Sequence, residues 1–311
     1  MFIIQNLRNF HIRIKRYTLR KAMRFLNYLL KSSDNGKGDL GKIDSSQIKQ
    51  QEIVISASKY NMFKAPGEKY YSDQYWQLIR ELVEVKQEKV RILDLGSGQG
   101  RMVQKFLDNF PNATIYCCDI SDKAIFELQS NIKVSPTQNV FAEVSTYREF
   151  LEGQASSSID IVLFTEVSFY SPDWGKSLMD IYRVLRPGGV FISSHRSRYF
   201  NVMSLLSLGD FQTAKQILNT NFGRLYRTTD LLFSWNDSFA TREILERAGF
   251  SIKKIAGIGV LSGIEGDPHE LLAEPGRLSE GELDALMELE KHLGETVPDA
   301  GRYMLFISKK D

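Results

Sequence analysis

The sequence contains two cysteines in 311 residues, and they are adjacent, Cys117 and Cys118. Neighbouring thiols build neither a disulfide framework nor a cysteine-based metal cage, so no metal site is expected and a reducing cytoplasm is the expected compartment. No run of about 18 apolar residues occurs, so no transmembrane helix is predicted. The first stretch is interrupted throughout by Arg and Lys and lacks a small-residue cleavage site, which argues against a secretory signal. Residues 1–33 also lack any acid while holding eight basic side chains. The rest carries 32 basic and 38 acidic groups, a charge of −6 concealed beneath the overall +2. A mildly acidic body with a cationic arm is the expectation.

Four regions follow from the patterning. In residues 1–31 the apolar positions Ile3, Leu7, Phe10, Ile14 and Tyr17, then Leu19, Met23, Leu26 and Leu30, recur at helical spacing. Such an arm can pack on the body, join an oligomer or lie on a membrane surface as a peripheral anchor. Residues 32–52 read as a polar linker. Residues 53–311 form the body, with two insertions, 195–236 and 261–301, expected as helical lids.

The body alternates strand-like and helical runs. Apolar segments stand at Val90–Leu95, Thr114–Cys118, Val140–Val144, Ile159–Phe164 and Val190–Ser194, with helical patterns at Met102–Asn109, Asp122–Asn131 and Trp174–Leu185. This alternation predicts a doubly wound α/β fold: a seven-stranded, mostly parallel sheet with helices on both faces. Ser251–Ile255 and Tyr303–Ser308 are expected to close it, the last strand antiparallel.

The sharpest segment is Asp94-Leu-Gly96-Ser97-Gly98-Gln-Gly100-Arg101, a strand leading through a glycine turn into a helix. A dinucleotide fingerprint requires Gly-x-Gly-x-x-Gly, and Arg101 stands where its third glycine belongs. Asp94 can organise the turn and reach an ammonium group, which a pyrophosphate does not offer. Nineteen residues past Gly100, Asp119 ends the second strand, where a carboxylate can accept from both hydroxyls of a ribose. Ile120 is then placed to cover an adenine. A nucleoside joined to an amino acid fits these groups better than NAD, although an NAD-type oxidoreductase and a non-catalytic binding scaffold remain alternatives.

Together with Ser158-Ile-Asp160-Ile and Tyr182-Arg183-Val-Leu-Arg186-Pro187-Gly188-Gly189, these residues resemble the class I S-adenosylmethionine-dependent methyltransferases. The resemblance implies a methyltransferase that uses S-adenosylmethionine and releases S-adenosylhomocysteine. Asp94, Gly96, Ser97, Gly98 and Gly100 would cradle the methionine portion and Asp119 the ribose. Ser145 or Thr146 would touch the adenine. Thr165 and Glu166 would mark where cofactor and acceptor meet, and Tyr71 or Tyr75 would close the site.

Methyl transfer is an in-line displacement, and a neutral acceptor also needs a base. His195 beyond the fifth strand is the first candidate, with Glu166 and Tyr170 behind it; a surface His and a buried structural acid are the alternatives. Arg196, Arg198, Tyr199 and Trp235 are the candidate acceptor contacts from the first insertion. His269 is expected on a surface loop. No Asn/Asp-Pro-Pro-Tyr-like run follows the fourth strand, and no arginine–aromatic interleaving marks an RNA module. The acceptor expected from this reading is therefore a small molecule methylated at O or N, with nucleic acid unlikely.

Overall fold

The computed structural model describes residues 52, 61–64, 67–83, 89–225 and 230–311. The basic arm and its surface contacts, and nearly all of the linker, lie outside these residues.

Nine strands and nine α-helices are described. Helix α1 (Glu68–Ile79) precedes β1 (Val90–Leu95), α2 (Arg101–Asn109), β2 (Ala113–Asp119), α3 (Asp122–Asn131), β3 (Asn139–Val144), α4 (Tyr147–Glu152) and β4 (Ile159–Phe164). Then come α5 (Leu178–Val184), β5 (Leu185–Arg196), α6 (Arg198–Ser207), α7 (Phe211–Ile217), β6 (Phe222–Arg224) and β7 (Leu232–Ser234). The chain closes through α8 (Ser238–Arg247), β8 (Phe250–Ile258), α9 (Glu280–Thr296) and β9 (Tyr303–Lys310).

Seven strands form one sheet in the order β3-β2-β1-β4-β5-β9-β8, while β6 and β7 pair as a separate ribbon. Strands β1 to β5 are parallel, and β9 runs antiparallel to both β5 and β8. The doubly wound sheet expected from the alternation is therefore the observed one. One expectation needed extending: β9 pairs with β8 and also inserts between it and β5.

Each face of the sheet buries its own apolar layer. Ile92, Ile115, Ile161, Ile192 and Ile307 pack with Tyr75, Phe106 and Met287 from α1, α2 and α9. Leu93, Val162, Phe191 and Phe306 pack with Leu151, Ile181 and Leu245 from α4, α5 and α8. Strands buried on both sides explain why these runs are continuously apolar rather than alternating. Cys117 and Cys118 are buried within β2, and each fully buried Leu, Ile or Phe contributes about 1.5–3 kcal/mol.

Helix starts are fixed by short polar side chains. Ser121 Oγ accepts from Ala124 N at 3.2 Å, Asp210 from Thr213 N at 3.1 Å and Asp237 from Ala240 N at 2.8 Å, satisfying amides that have no partner within the helix. Thr146 and Glu149 form a reciprocal capping box at α4. In the insertion between β5 and α8, Leu205, Ile217, Phe233 and Trp235 form a small core with Phe169 from the turn after β4. No helix among the described residues is long and apolar enough to cross a membrane.

Candidate active site

The carboxyl ends of β1, β2, β3 and β4 open onto a cleft of about 520 Å³, the position where open parallel sheets bind ligands. Its wall includes Asp94, Gly96, Ser97, Gly98, Asp119, Ile120, Ser145, Thr165, Glu166 and Tyr170. The structure thus brings ten of the sequence-derived candidates together from four strand ends.

The glycine turn is shaped by necessity. Gly96 and Gly98 have φ of 80° and 52°, a region side-chain-bearing residues rarely enter. A Cβ on Gly96 would collide with Cγ2 of Val167, whereas one on Gly98 would meet nothing within 4 Å. Gly98 therefore leaves room for a ligand, while Gly96 makes room for the neighbouring chain. Gly100 serves packing: its Cβ would stand 2.9 Å from Leu128, and it does not line the cleft.

Two acids flank the turn. Asp119 accepts from Gly98 N and from Ser121 N, each at 2.9 Å. Burial raises its pKa, and these backbone donors oppose the rise. Asp94 is buried, and its Oδ2 has no hydrogen-bond partner. Burial first, then the nearby charge of Asp119, pushes its pKa up to about 7. An unsatisfied carboxylate oxygen on a residue that lines the cleft is an atom an ammonium would complete, so these residues fit the amino-acid end of the cofactor.

At the other end, Glu166 adopts φ 63°, a strained conformation for a residue with a Cβ, costing about 1–3 kcal/mol. Its N–H donates to Ser194 Oγ at 2.8 Å. Its carboxylate pairs with Arg101 at 2.8 Å, and Arg101 also pairs with Glu68 at 2.6 Å. Burial alone would raise the Glu166 carboxyl, but Arg101, then Arg302 and Arg196, outweigh it and leave the pKa lowered. Arg101 lines the cleft too. Sequence reasoning used it only to reject a dinucleotide and missed this role, because Glu68 lies 33 residues upstream. Met62, Gln99, Tyr147, Ser171 and Leu231 also line the cleft, without an advance signal.

Several candidates sit elsewhere. His195 is 2% exposed, its ring 4.3 Å from that of Trp174 and its Nε2 2.9 Å from Ser193 Oγ. Burial pushes its pKa down to about 3, so it is a neutral core side chain, not a base at the cleft. Thr146 caps α4. Tyr71 is buried beneath Arg302, 5.5 Å from its ring centre, and does not close the cleft. Arg198 is held by Asp237 at 3.2 Å and Asn221 at 2.9 Å. Trp235 is buried and donates to Thr220 O at 2.6 Å. Tyr199 is exposed on α6, outside the cleft wall. Arg196 lies behind Phe169 rather than on the wall. His269 is not on a surface loop: it is buried, its Nδ1 3.0 Å from Gly259 O.

A sheet in this order, with an acid-flanked glycine turn at its switch point, defines a Rossmann-like domain that binds a nucleoside linked to an amino acid. Residues 93–191 match the family model described as Methyltransferase domain. The chain is similar to the human tRNA N(3)-cytidine methyltransferase METTL6, with 29% identity over 46% of this chain and 54% of that protein. It thus spans about half the length of that relative. It is also similar to the tRNA 5-carboxymethoxyuridine methyltransferase of Escherichia coli K12, with 24% identity over 76% of this chain and 86% of that one. Among solved structures, an S-adenosylmethionine dependent methyltransferase from Mesorhizobium loti superposes with a TM-score of 0.51 at 14% identity, covering 76% and 97% of the two chains.

Residues 93–191 thus carry a methyltransferase domain, on the fold shared by S-adenosylmethionine-dependent methyltransferases. That displaces the NAD-type alternative. The expectation of a small-molecule acceptor, with nucleic acid unlikely, is contradicted by the tRNA methyltransferases among the relatives. The missing sequence motifs argue against particular modules and exocyclic-amine chemistry only, and a cleft of this kind equally suits a base swung out of its stack.

Proposed function

We propose that the enzyme methylates a nucleotide of tRNA, with S-adenosylmethionine as donor and S-adenosylhomocysteine as product. The observation carrying this reading is the similarity to a tRNA methyltransferase along 86% of that protein's length. The shape of the cleft agrees with it. At the end away from Asp119, Tyr170 is 40% exposed and braced by Phe169 and Phe233 at 5.1 and 5.8 Å. An aromatic face supported from behind suits stacking of an unstacked base.

The bound cofactor supplies an electrophilic methyl on a sulfonium. Asp94 would hold the ammonium, Asp119 the ribose hydroxyls, and Ile120 and Ser145 the adenine. Glu166, fixed by Arg101 and Ser194, would order the junction at which donor and acceptor align. With Glu166 held in an ion pair and His195 buried, rate enhancement rests on alignment.

The test is transfer of labelled methyl from S-adenosylmethionine to tRNA from cells lacking this enzyme, followed by nucleoside mass spectrometry. Label in one nucleoside supports the reading. Unlabelled tRNA beside a labelled metabolite fraction would sink it.

A further inference from the structure

The two insertions differ sharply in charge. Residues 195–236 carry five basic and two acidic side chains, a net of +3, whereas residues 261–301 carry two basic and eleven acidic ones, a net of −9. A polyanion is drawn to the first and repelled by the second. The basic insertion is also joined to the rim of the cleft. Phe233 of β7 lies 4.7 Å from Phe169 and 5.8 Å from Tyr170, and Leu231 beside it lines the cleft. Leu205 of α6 and Ile217 of α7 pack into the same small core.

The sides of α6 and α7 turned away from that core are not purely polar. Tyr199 and Leu206, seven residues apart, share the outer face of α6, and Phe211, Lys215 and Leu218 share that of α7. Tyr199 is 49% exposed and Phe211 71%, and Leu206, Lys215 and Leu218 are exposed as well. Arg198 ties the two helices into a hairpin, its Nη1 donating to Leu218 O at 3.3 Å. The start of α6 therefore lies against the end of α7, and the two rings stand towards opposite ends of one face. On the adjoining ribbon Arg224 pairs with Asp230 at 3.3 Å, an exposed contact of little strength that a phosphate can displace.

We propose that the outer face of the α6–α7 hairpin docks the single-stranded RNA that flanks the target nucleotide. Bases stack on Tyr199 and Phe211, Leu206 and Leu218 widen the apolar platform, and Lys215 and Arg224 meet phosphates. The proposal rests on the RNA reading above and extends it from the cleft to the strand outside it: Tyr170 receives the methylated nucleotide and the hairpin holds its neighbours. Charge selects RNA over a second copy of this chain, since a two-fold pairing of this face would set one basic insertion against another. A nucleic-acid strand supplies both the flat rings and the negative charge that this mixed surface complements.

The experiment measures binding of labelled tRNA, taken from cells lacking this enzyme, to the full chain with S-adenosylhomocysteine bound, by fluorescence anisotropy at about 50 to 200 mM salt. Tyr199→Ala and Phe211→Ala should each weaken binding about tenfold and leave the salt dependence unchanged. Lys215→Gln combined with Arg224→Gln should flatten the slope of log Kd against log salt by about 1.5. Leu289→Ser, on the acidic insertion, should bind as the wild type does. Every variant should keep its affinity for S-adenosylhomocysteine, which reports folding. Wild-type tRNA affinity in the hairpin variants overturns the proposal, and so does an equal loss in Leu289→Ser. A wild type that runs as a dimer on gel filtration, split by Phe211→Ala without loss of tRNA affinity, also overturns it and makes the face a contact between copies. Methyl transfer to tRNA by the wild type is followed in parallel. Transfer that survives with unchanged affinity in all hairpin variants leaves the RNA reading standing without this surface. Binding through the hairpin with methyl transferred only to metabolites removes the RNA acceptor and keeps the surface.

Discussion

The amide of Gly98 donates to Oδ2 of Asp119 at 2.9 Å, tying the glycine turn after β1 to the end of β2. The acid read as a ribose ligand is therefore also a brace for the glycine turn.

Removing that brace should cost on both counts. Asp119→Ala is expected to weaken S-adenosylhomocysteine binding by about 10- to 100-fold, the range for hydrogen bonds to a charged group. Asp119→Asn, which keeps one acceptor, should lose less. Calorimetry with both variants checks this, and unchanged affinity in the alanine variant would remove Asp119 from the site.

Asp94 makes cofactor binding depend on pH. Its pKa without cofactor is raised to about 7, and an ammonium prefers the ionised carboxylate. Below pH 7 binding must first expel a proton, so affinity for S-adenosylhomocysteine should fall about tenfold per pH unit. Above pH 7 it should level off. Asp94→Asn should bind more weakly at pH 8 and lose this slope. A slope that survives the substitution assigns the titration to another group.

Gly96 is constrained twice, by its φ of 80° and by Val167. Gly96→Ala should lower stability by about 1–3 kcal/mol, from overpacking and the left-handed backbone. Adding Val167→Ala should recover the part due to the clash and leave the backbone part. Thermal unfolding of the single and double variants separates the two, and a double variant no more stable than Gly96→Ala would dismiss the clash.

His195→Asn tests the reassignment of that residue to the core. Methyl transfer near neutral pH should stay within about twofold of wild type, while packing loss lowers stability by about 1–3 kcal/mol. Burial holds the His195 pKa at about 3, below the unfolded value near 6.5. Its contribution is therefore complete above pH 6.5 and fades as pH falls toward 3. The variant should show a shallower loss of stability across that window. A large drop in turnover with intact cofactor affinity would restore a catalytic role.

The misplacement of His195 shows where sequence reading stops. The fold was legible because its strands are continuously apolar and its glycine turn is anchored by acids at fixed offsets. The end of β5 was not. The expected strand stopped at Ser194, but pairing with β9 carries it to Arg196. Strand alternation then places Ser194 beside Glu166 and turns His195 to the opposite face. Register with a strand more than a hundred residues later decides this, and no local pattern records it. Arg101 illustrates the same limit, since its meaning depends on Glu68 and Glu166. By contrast, Asp94, Asp119 and the glycines were readable because one short strand–turn–helix segment and the next strand end contain nearly all of the cradle.

The interior position of β9 bears on how the protein is made. Emerging after every other strand, β9 must enter between two that are already present. Until it arrives, β5 and β8 each present an open row of amides and carbonyls, the kind of edge that templates pairing with other chains. Its closing contacts span long stretches of sequence and are intrinsically slow to form. Substitutions in Tyr303–Lys310 that leave the cleft untouched should therefore be felt first as lower yield of folded enzyme and greater dependence on chaperones, before any change in turnover.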